Sequence, residues 1–109
     1  MTTQLPVVCE PRFDLRAPDV ADAVAAAALL ADPIRASILR MLADGPVCVC
    51  EMASALGARE NNISNHLAKL RDAGLVRATR HETNARFLYY QREEAAVAAA
   101  RAALADVLR

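Results

Sequence analysis

A chain of 109 residues with 55% hydrophobic and 24% charged side chains is long enough for one packed domain, and its longest apolar run is too short for a membrane span. Thirteen basic residues balance thirteen acidic ones, so the whole chain is not a uniformly basic nucleic-acid binder. Three cysteines form no disulfide scaffold, and no basic segment followed by an apolar stretch opens the chain, so a cytoplasmic protein with free thiols is expected.

The charge is unevenly distributed. Arg59 to Arg92 holds seven basic residues against three acidic ones, a net of +4, and the remainder carries −4. Phosphates respond to the local field rather than to the total, so the split fits a basic reading face on an acidic body; an ordinary mixed, solvated surface fits it too.

Along the chain, Met1 to Arg16 lack a sustained period and hold Cys9. They read as a flexible arm (residues 1–16) ahead of a single domain (residues 17–109). Pro18, Asp19 and Asp22 announce a helix from Ala17 to about Leu30, with Val20, Val24, Ala27 and Leu30 on its stripe. Asp32 is a good N-cap and Pro33 suits the first helical position; Ile34, Ile38, Met41 and Leu42 then mark a second helix, ended by Asp44-Gly45-Pro46. A short third helix starts around Cys48 to Glu51, points Met52, Ala53 and Leu56 inward and stops at Gly57. A fourth, from about Glu60 to Ala73, carries Ile63, Leu67 and Leu70 and stops at Gly74. Two short helices across a Gly-containing turn form a helix-turn-helix, whose second member enters the major groove. The period then drops to two through Leu75, Val76, Ala78 and Thr79, passes a polar tip at His81 to Asn84, and returns through Arg86 to Tyr90 as a hairpin, or wing. Alternation puts one of Tyr89 and Tyr90 in the core and the other outside. An Ala-rich helix from Glu93 to Leu108, with Val97, Ala100, Leu104 and Val107 or Leu108 on one side, closes a mainly α fold of about five helices and a two-stranded wing.

Four stretches carry a family resemblance: Leu30-Ala31-Asp32-Pro33-Ile34-Arg35, the box Cys48-Val49-Cys50-Glu51-Met52, the run from Ser64 to Val76, and the hairpin. Together they resemble the ArsR/SmtB family over almost the whole chain, from Ala17 to Leu108. The resemblance implies a homodimeric winged-helix repressor, joined through its first and last helices, that binds double-stranded operator DNA and is released by a metal ion. The Ala-rich faces of those helices, more apolar than a monomer's surface requires, agree with such a dimer.

The resemblance also implies a ligand set. Cys48 and Cys50 match the cysteine box, Cys9 matches an arm cysteine, and Cys9-Glu10 resembles cadmium- and lead-sensing members, with Glu10 as an extra ligand. Phe13 stands where a second arm cysteine is expected. Met52, Ala53 and Ser54 replace the third cysteine of an arsenic pattern, and Glu93 to Arg109 lacks the histidine of a zinc or nickel site. Three thiolates suit Pb(II), As(III), Sb(III) or Bi(III), and Cd(II) with a water or carboxylate, whereas Zn(II) prefers four ligands and ranks lower. Residues i and i+2 diverge on a regular helix, so Cys48 must lie in an extended entry turn for the sulfurs to converge. A helix N-terminus is expected to favour the thiolate. The competing reading makes Cys48 and Cys50 small core residues.

For DNA contact, Arg59, Asn61 and Asn62 crowd the start of the fourth helix, and Ser64, Asn65 and Lys69 lie on or near its exposed side. Asn61 and Asn62 also suit capping and turn chemistry. His66 has three readings: a phosphate contact, a hydrogen-bonded link to the metal site, or a satisfied structural histidine. His81 and Arg86 at the wing can reach the minor groove or its phosphates, flanked by Arg77 and Arg80, or can simply be solvated. No enzyme is expected, since the cysteines are one residue apart and no thioredoxin-like pattern surrounds them. The expectation is a repressor relieved by a thiophilic ion; a thiol-redox or persulfide-responsive repressor of the same fold is the alternative.

Overall fold

A computed structural model describes residues 20–80 and 88–109. The elements run α1 (Ala21–Leu30), α2 (Pro33–Met41), a single 3-10 turn (Leu42–Asp44), β1 (Val47–Cys48), α3 (Val49–Leu56), α4 (Glu60–Asp72), β2 (Val76–Arg80), β3 (Leu88–Arg92) and α5 (Glu94–Leu108). The arm and the wing tip expected from the sequence lie outside the described residues. No helix among those described is long and apolar enough to cross a membrane.

The core forms where α2, α3 and α4 meet the inner face of the sheet. Ile38, Met52, Ile63, Leu67 and Leu70 are completely buried, joined by Leu39, Leu42, Ala53, Leu75, Val76 and Tyr90. Burying each large aliphatic side chain contributes roughly 1.5–3 kcal/mol, so this cluster is the main source of stability. The stripe expected on the fourth helix is the stripe found. On α2, Ile38 is buried, but Leu39 joins it while Ile34 and Met41 are only partly covered. Helices α3 and α4 end alike. Gly57 and Gly74 take left-handed conformations, with φ of 60° and 79°. The amides that follow reach back five residues, Ala58 to the Ala53 carbonyl and Leu75 to the Leu70 carbonyl, each at 3.0 Å. This is the Schellman closure, which favours glycine at the left-handed position.

The sheet corrects the two-stranded expectation. It has three antiparallel strands in the order β1-β3-β2. Val47 opposes Tyr90 and Cys48 opposes Tyr89, while β2 lies on the other side of β3 with Ala78 against Tyr90 and Thr79 against Tyr89. β1 is two residues long and has no period of its own, so only its partner strand defines it. Register divides the side chains by face. Val47, Val76, Ala78 and Tyr90 belong to the core side, and Cys48, Arg77, Thr79, Tyr89 and Gln91 to the outer side. Tyr90 is buried and Tyr89 half-buried, as alternation requires.

A second correction concerns α1. The stripe of Val20, Val24, Ala27 and Leu30 is not the packed face: Ala23 and Ala26 are buried instead, and Val24 is 61% exposed. A helix made mostly of alanine presents nearly equivalent faces, so its periodicity did not select the packed one. α1 lies along α5, where Val97, Ala100 and Leu104 of the expected stripe are partly covered, while Val107 and Leu108 at its end are exposed.

Candidate functional site

Cys48 and Cys50 come together because the chain changes conformation between them. Gly45, at φ 136°, turns the chain out of the 3-10 turn, and Cys48 is extended, with φ −84° and ψ 158°, as the N-cap residue of α3. Cys50 sits in the first turn of that helix. This meets the condition set by the i, i+2 spacing: the two Sγ atoms are 3.0 Å apart. No disulfide joins the two cysteines, and Cys48 is partly covered and Cys50 exposed. The small-core-residue reading fits neither, because both sulfurs remain outside the buried cluster.

The electrostatics depart from expectation. The Cys50 thiol is pushed above its usual range, chiefly by its hydrogen-bonding contact with the Cys48 sulfur, then by desolvation and by the charge of Cys48 and Glu60; the Glu51 amide pulls the other way without prevailing. The helix N-terminus therefore does not leave Cys50 a ready thiolate. Two adjacent sulfurs cannot both ionise cheaply unless a cation joins them. A converging thiol pair at the surface has the donor chemistry of a thiophilic-cation site, and Cys48 and Cys50 are the described residues that could hold such an ion. Among the described residues no third cysteine, histidine or carboxylate completes a cluster of three; Cys9 and Glu10 lie outside them.

The reading helix α4 follows α3 after Gly57. Arg59 is its N-cap residue, extended and without a capping side-chain bond, so Asn61 and Asn62 lie two and three residues beyond the cap and are exposed. Ser64, Asn65 and Lys69 are exposed too, and Asn61, Asn65 and Lys69, spaced by four, share one edge of the helix. This polar face is opposite the buried Ile63, Leu67 and Leu70.

His66 belongs to a structural hub. Asp32 caps α2, accepting from the amides of Ile34 at 2.8 Å and Arg35 at 3.2 Å. Arg35 donates from Nε to the Leu29 carbonyl at 2.7 Å and from Nη2 to the Ala28 carbonyl at 3.2 Å, satisfying the end of α1. Its Nη1 lies 3.3 Å from His66 Nδ1, and His66 Nε2 is 3.9 Å from Asp32 Oδ1. For Nη1 to donate, Nδ1 must be unprotonated, which puts the imidazole proton on Nε2. Desolvation alone would raise the Asp32 carboxyl, but the hydrogen bonds from the Arg35 and Ile34 amides, with the His66 and Arg35 side chains nearby, hold it below the ordinary carboxylate range. His66 thus ties the reading helix to the α1–α2 junction rather than to the cysteines, and this link was visible in the sequence only as one of three options.

At the base of the wing, Arg77 is engaged. Its Nη1 is 3.1 and 3.2 Å from the two Glu93 oxygens, and Gln91, with its amide oxygen toward Arg77, accepts from Nε and Nη2 at 2.9 Å. Arg80 is at the exposed end of β2, and His81 and Arg86 lie outside the described residues. Sequence reasoning missed Arg92, which leaves β3 on the core side, lies near the Leu39 carbonyl at 3.4 Å and pairs with Glu94 at 3.0 Å, joining the sheet to α2 and α5. The change of period at Glu93 was its only signal.

Comparison with known proteins bears on this arrangement. Residues 32–78, from the Asp32 cap through the reading unit into β2, match the model of the bacterial regulatory protein arsR family. Reduced HlyU from Vibrio cholerae N16961 has the same fold, with a TM-score of 0.66 and 30% identity over 77% of this chain and 86% of that one. The chain belongs to the ArsR family. Within the family it is 50% identical over 50 residues to the HTH-type transcriptional regulator CmtR of Mycobacterium tuberculosis, covering 46% of this chain and 42% of that protein. It is 40% identical over 63 residues to the arsenic resistance transcriptional regulator ArsR1 of Pseudomonas putida, covering 57% and 47%. The chain therefore matches less than half the length of these curated relatives. They are transcriptional regulators, not enzymes.

Proposed function

We propose that this ArsR-family protein is a metal-responsive transcriptional repressor in the cytoplasm, which binds operator DNA as a homodimer and leaves it when Cys48 and Cys50, with Cys9 from the arm, capture a thiophilic ion. The observation that carries the reading is the pair of sulfurs 3.0 Å apart at the start of the helix that precedes the reading helix. Cd(II) and Pb(II) are the favoured inducers, As(III), Sb(III) and Bi(III) come next, and Zn(II) ranks lower on ligand number. Similarity to an arsenic resistance regulator supports a metal or metalloid inducer. Asn61, Asn62, Ser64, Asn65 and Lys69 meet base edges and phosphates from α4, and Arg59 meets the backbone beside its N-terminus. His66 acts through Arg35 and Asp32 by fixing the position of α4. Arg77, Arg80, His81 and Arg86 serve the wing.

Capture requires Cys50 to lose a proton that its neighbour holds in place. Ion affinity therefore rises with pH, by about tenfold per unit for each proton displaced, until the thiol ionises unaided. Each homodimer presents two copies of α4 to successive major grooves, about 34 Å apart, so a small change in their relative placement reduces operator affinity. A 100-fold loss corresponds to about 2.7 kcal/mol.

The test is anaerobic titration of the reduced protein with Cd(II), Pb(II), As(III) and Zn(II), following sulfur-to-metal charge-transfer absorption and operator binding together. Wild type should show thiolate bands and release DNA; Cys48→Ser and Cys50→Ser should keep DNA binding and lose both responses. Loss of DNA binding by the ion-free variants would overturn the sensor role in favour of packing.

The same 3.0 Å contact favours one alternative, a redox-responsive repressor. There the two thiols give up two electrons and two protons to an oxidant and form a Cys48–Cys50 disulfide. Mass spectrometry of oxidant-treated, chelator-treated protein distinguishes the two: a loss of two hydrogens coupled to DNA release supports redox sensing.

A further inference from the structure

The wing is physically joined to the thiol pair. Cys48 is half of the two-residue strand β1 and also the N-cap residue of α3, so one residue belongs to both the sheet and the helix. Across the ladder it opposes Tyr89, and Tyr89 opposes Thr79 on β2. Opposed residues of antiparallel strands share a face, so Cys48, Tyr89 and Thr79 form one row across the outer side of the sheet. Thr79 lies 3.2 Å from the Gln91 amide, which contacts Arg77. The row thus leads from a thiol to a basic side chain of the wing. The parallel row on the inner face, Val47, Tyr90 and Ala78, is anchored by the buried Tyr90. An edge strand of two residues is the weakest part of such a sheet, and its pairing is the part most easily altered without unfolding the rest.

We propose that the β1–β3 pairing transmits the state of the thiol pair to the wing, with Tyr89 as the positioning residue that converts a change at Cys48 into a change in wing placement. This deepens the sensor reading above and rests on it. Cys48 cannot take up a ligand on the outer face without sharing that face with the Tyr89 ring. The inner row holds β3 in the core, so the adjustment falls on the outer row and on the strands leading to the wing tip. Operator release then comes partly from the wing, not only from the spacing of the two reading helices.

The experiment uses the full chain, reduced, with Cd(II) as probe and a duplex selected from a random pool by the ion-free protein. Hydrogen exchange over residues 88–92 is followed with and without Cd(II), and operator affinity is measured for wild type, Tyr89→Val and Tyr89→Phe. Wild type should lose about 100-fold in operator affinity, with altered exchange over 88–92. Tyr89→Val keeps a strand-favouring residue but removes the ring; it should bind Cd(II) within about threefold of wild type yet lose less than about tenfold on the operator. Tyr89→Phe should behave as wild type. Full release by Tyr89→Val, or exchange over 88–92 that ignores bound Cd(II), overturns the proposal; the exchange result holds even if Tyr89→Val does not fold. If wild type binds Cd(II) but stays on DNA, the sensor reading fails, and altered exchange over 88–92 still establishes the link to the wing. No thiolate band in wild type removes both.

Discussion

Helix α4 buries Ile63, Leu67 and Leu70 completely, whereas α5, two residues longer, contains no fully buried residue among those described. α1 is intermediate, burying only Ala23 and Ala26 and leaving Val24 61% exposed, while Leu108 at the end of α5 is 80% exposed. Only four of the thirteen residues of α4 are apolar, whereas α1 and α5 are mostly apolar, so the difference is one of partners and not of apolar content. α4 has α2, α3 and β2 around it; α1 and α5 have mainly each other. Alanine allows close approach but buries little area per residue, so these two helices form a thin layer with an apolar outer surface. The half built on α4 is closed within one chain, and the flanking half leaves an apolar surface, the one that the proposed homodimer would cover.

The contrast is sharpest in the core. Leu67→Ala should lower the unfolding free energy by about 2–5 kcal/mol in urea denaturation, while Leu104→Ala in the thin layer should cost clearly less per chain once association is prevented by dilution. Equal losses would end the distinction. Next comes the thiol pair: Cys50→Ser should remove an operator response of about 100-fold while changing the urea midpoint little, because Cys50 is exposed and outside the buried cluster. A large drop in stability would return the cysteine to the core. Val24→Asp probes the outer surface directly. A solvated site tolerates such a change within about 0.5 kcal/mol, so loss of the dimer in sedimentation and of a concentration-dependent melting temperature would identify this face as the interface.

Asp32→Ala breaks the hub at the junction of the two halves and should lower the melting temperature by roughly a few degrees. Because the Asp32 carboxyl is held below the ordinary carboxylate range, its contribution is complete above about pH 4 and fades as pH falls through the lowered value. Wild type and Asp32→Ala melting curves should therefore converge in acid. An unchanged gap would show that packing, not the charged cap, is what the variant lost. The smallest effect is expected at Arg77→Ala: its pair with Glu93 is 55% and 38% exposed, and such surface pairs contribute about 0–1 kcal/mol to folding. A clear loss of operator affinity without loss of stability would place Arg77 at the DNA.

Much of the reading half was legible in the residues themselves. The stripe Ile63, Leu67, Leu70 has a helical period that no other element competes for, Gly57 and Gly74 mark stops that only a left-handed residue makes cheaply, and Asp32-Pro33 specifies a capped start. The thiol pair was legible as chemistry, and its spacing set a condition on Cys48 that the extended entry turn meets. The packed face of α1 was not legible, because among nine positions of alanine, valine and leucine hydrophobicity alone does not rank one side above another. β1 was hidden for a different reason: two residues carry no periodicity.

Local physical chemistry in the sequence therefore determined where the helices start and stop, which face of α4 is dry, and that two sulfurs stand at a helix entry. Tertiary structure alone decided that Cys48 pairs with Tyr89, that His66 reaches Arg35 across 31 residues of chain, and that Arg77 turns to Glu93. Capping, periodicity and glycine stops act within a few residues and leave their mark locally. Strand register and long-range ion pairs depend on which surfaces meet once the core has formed, and no single segment encodes that meeting.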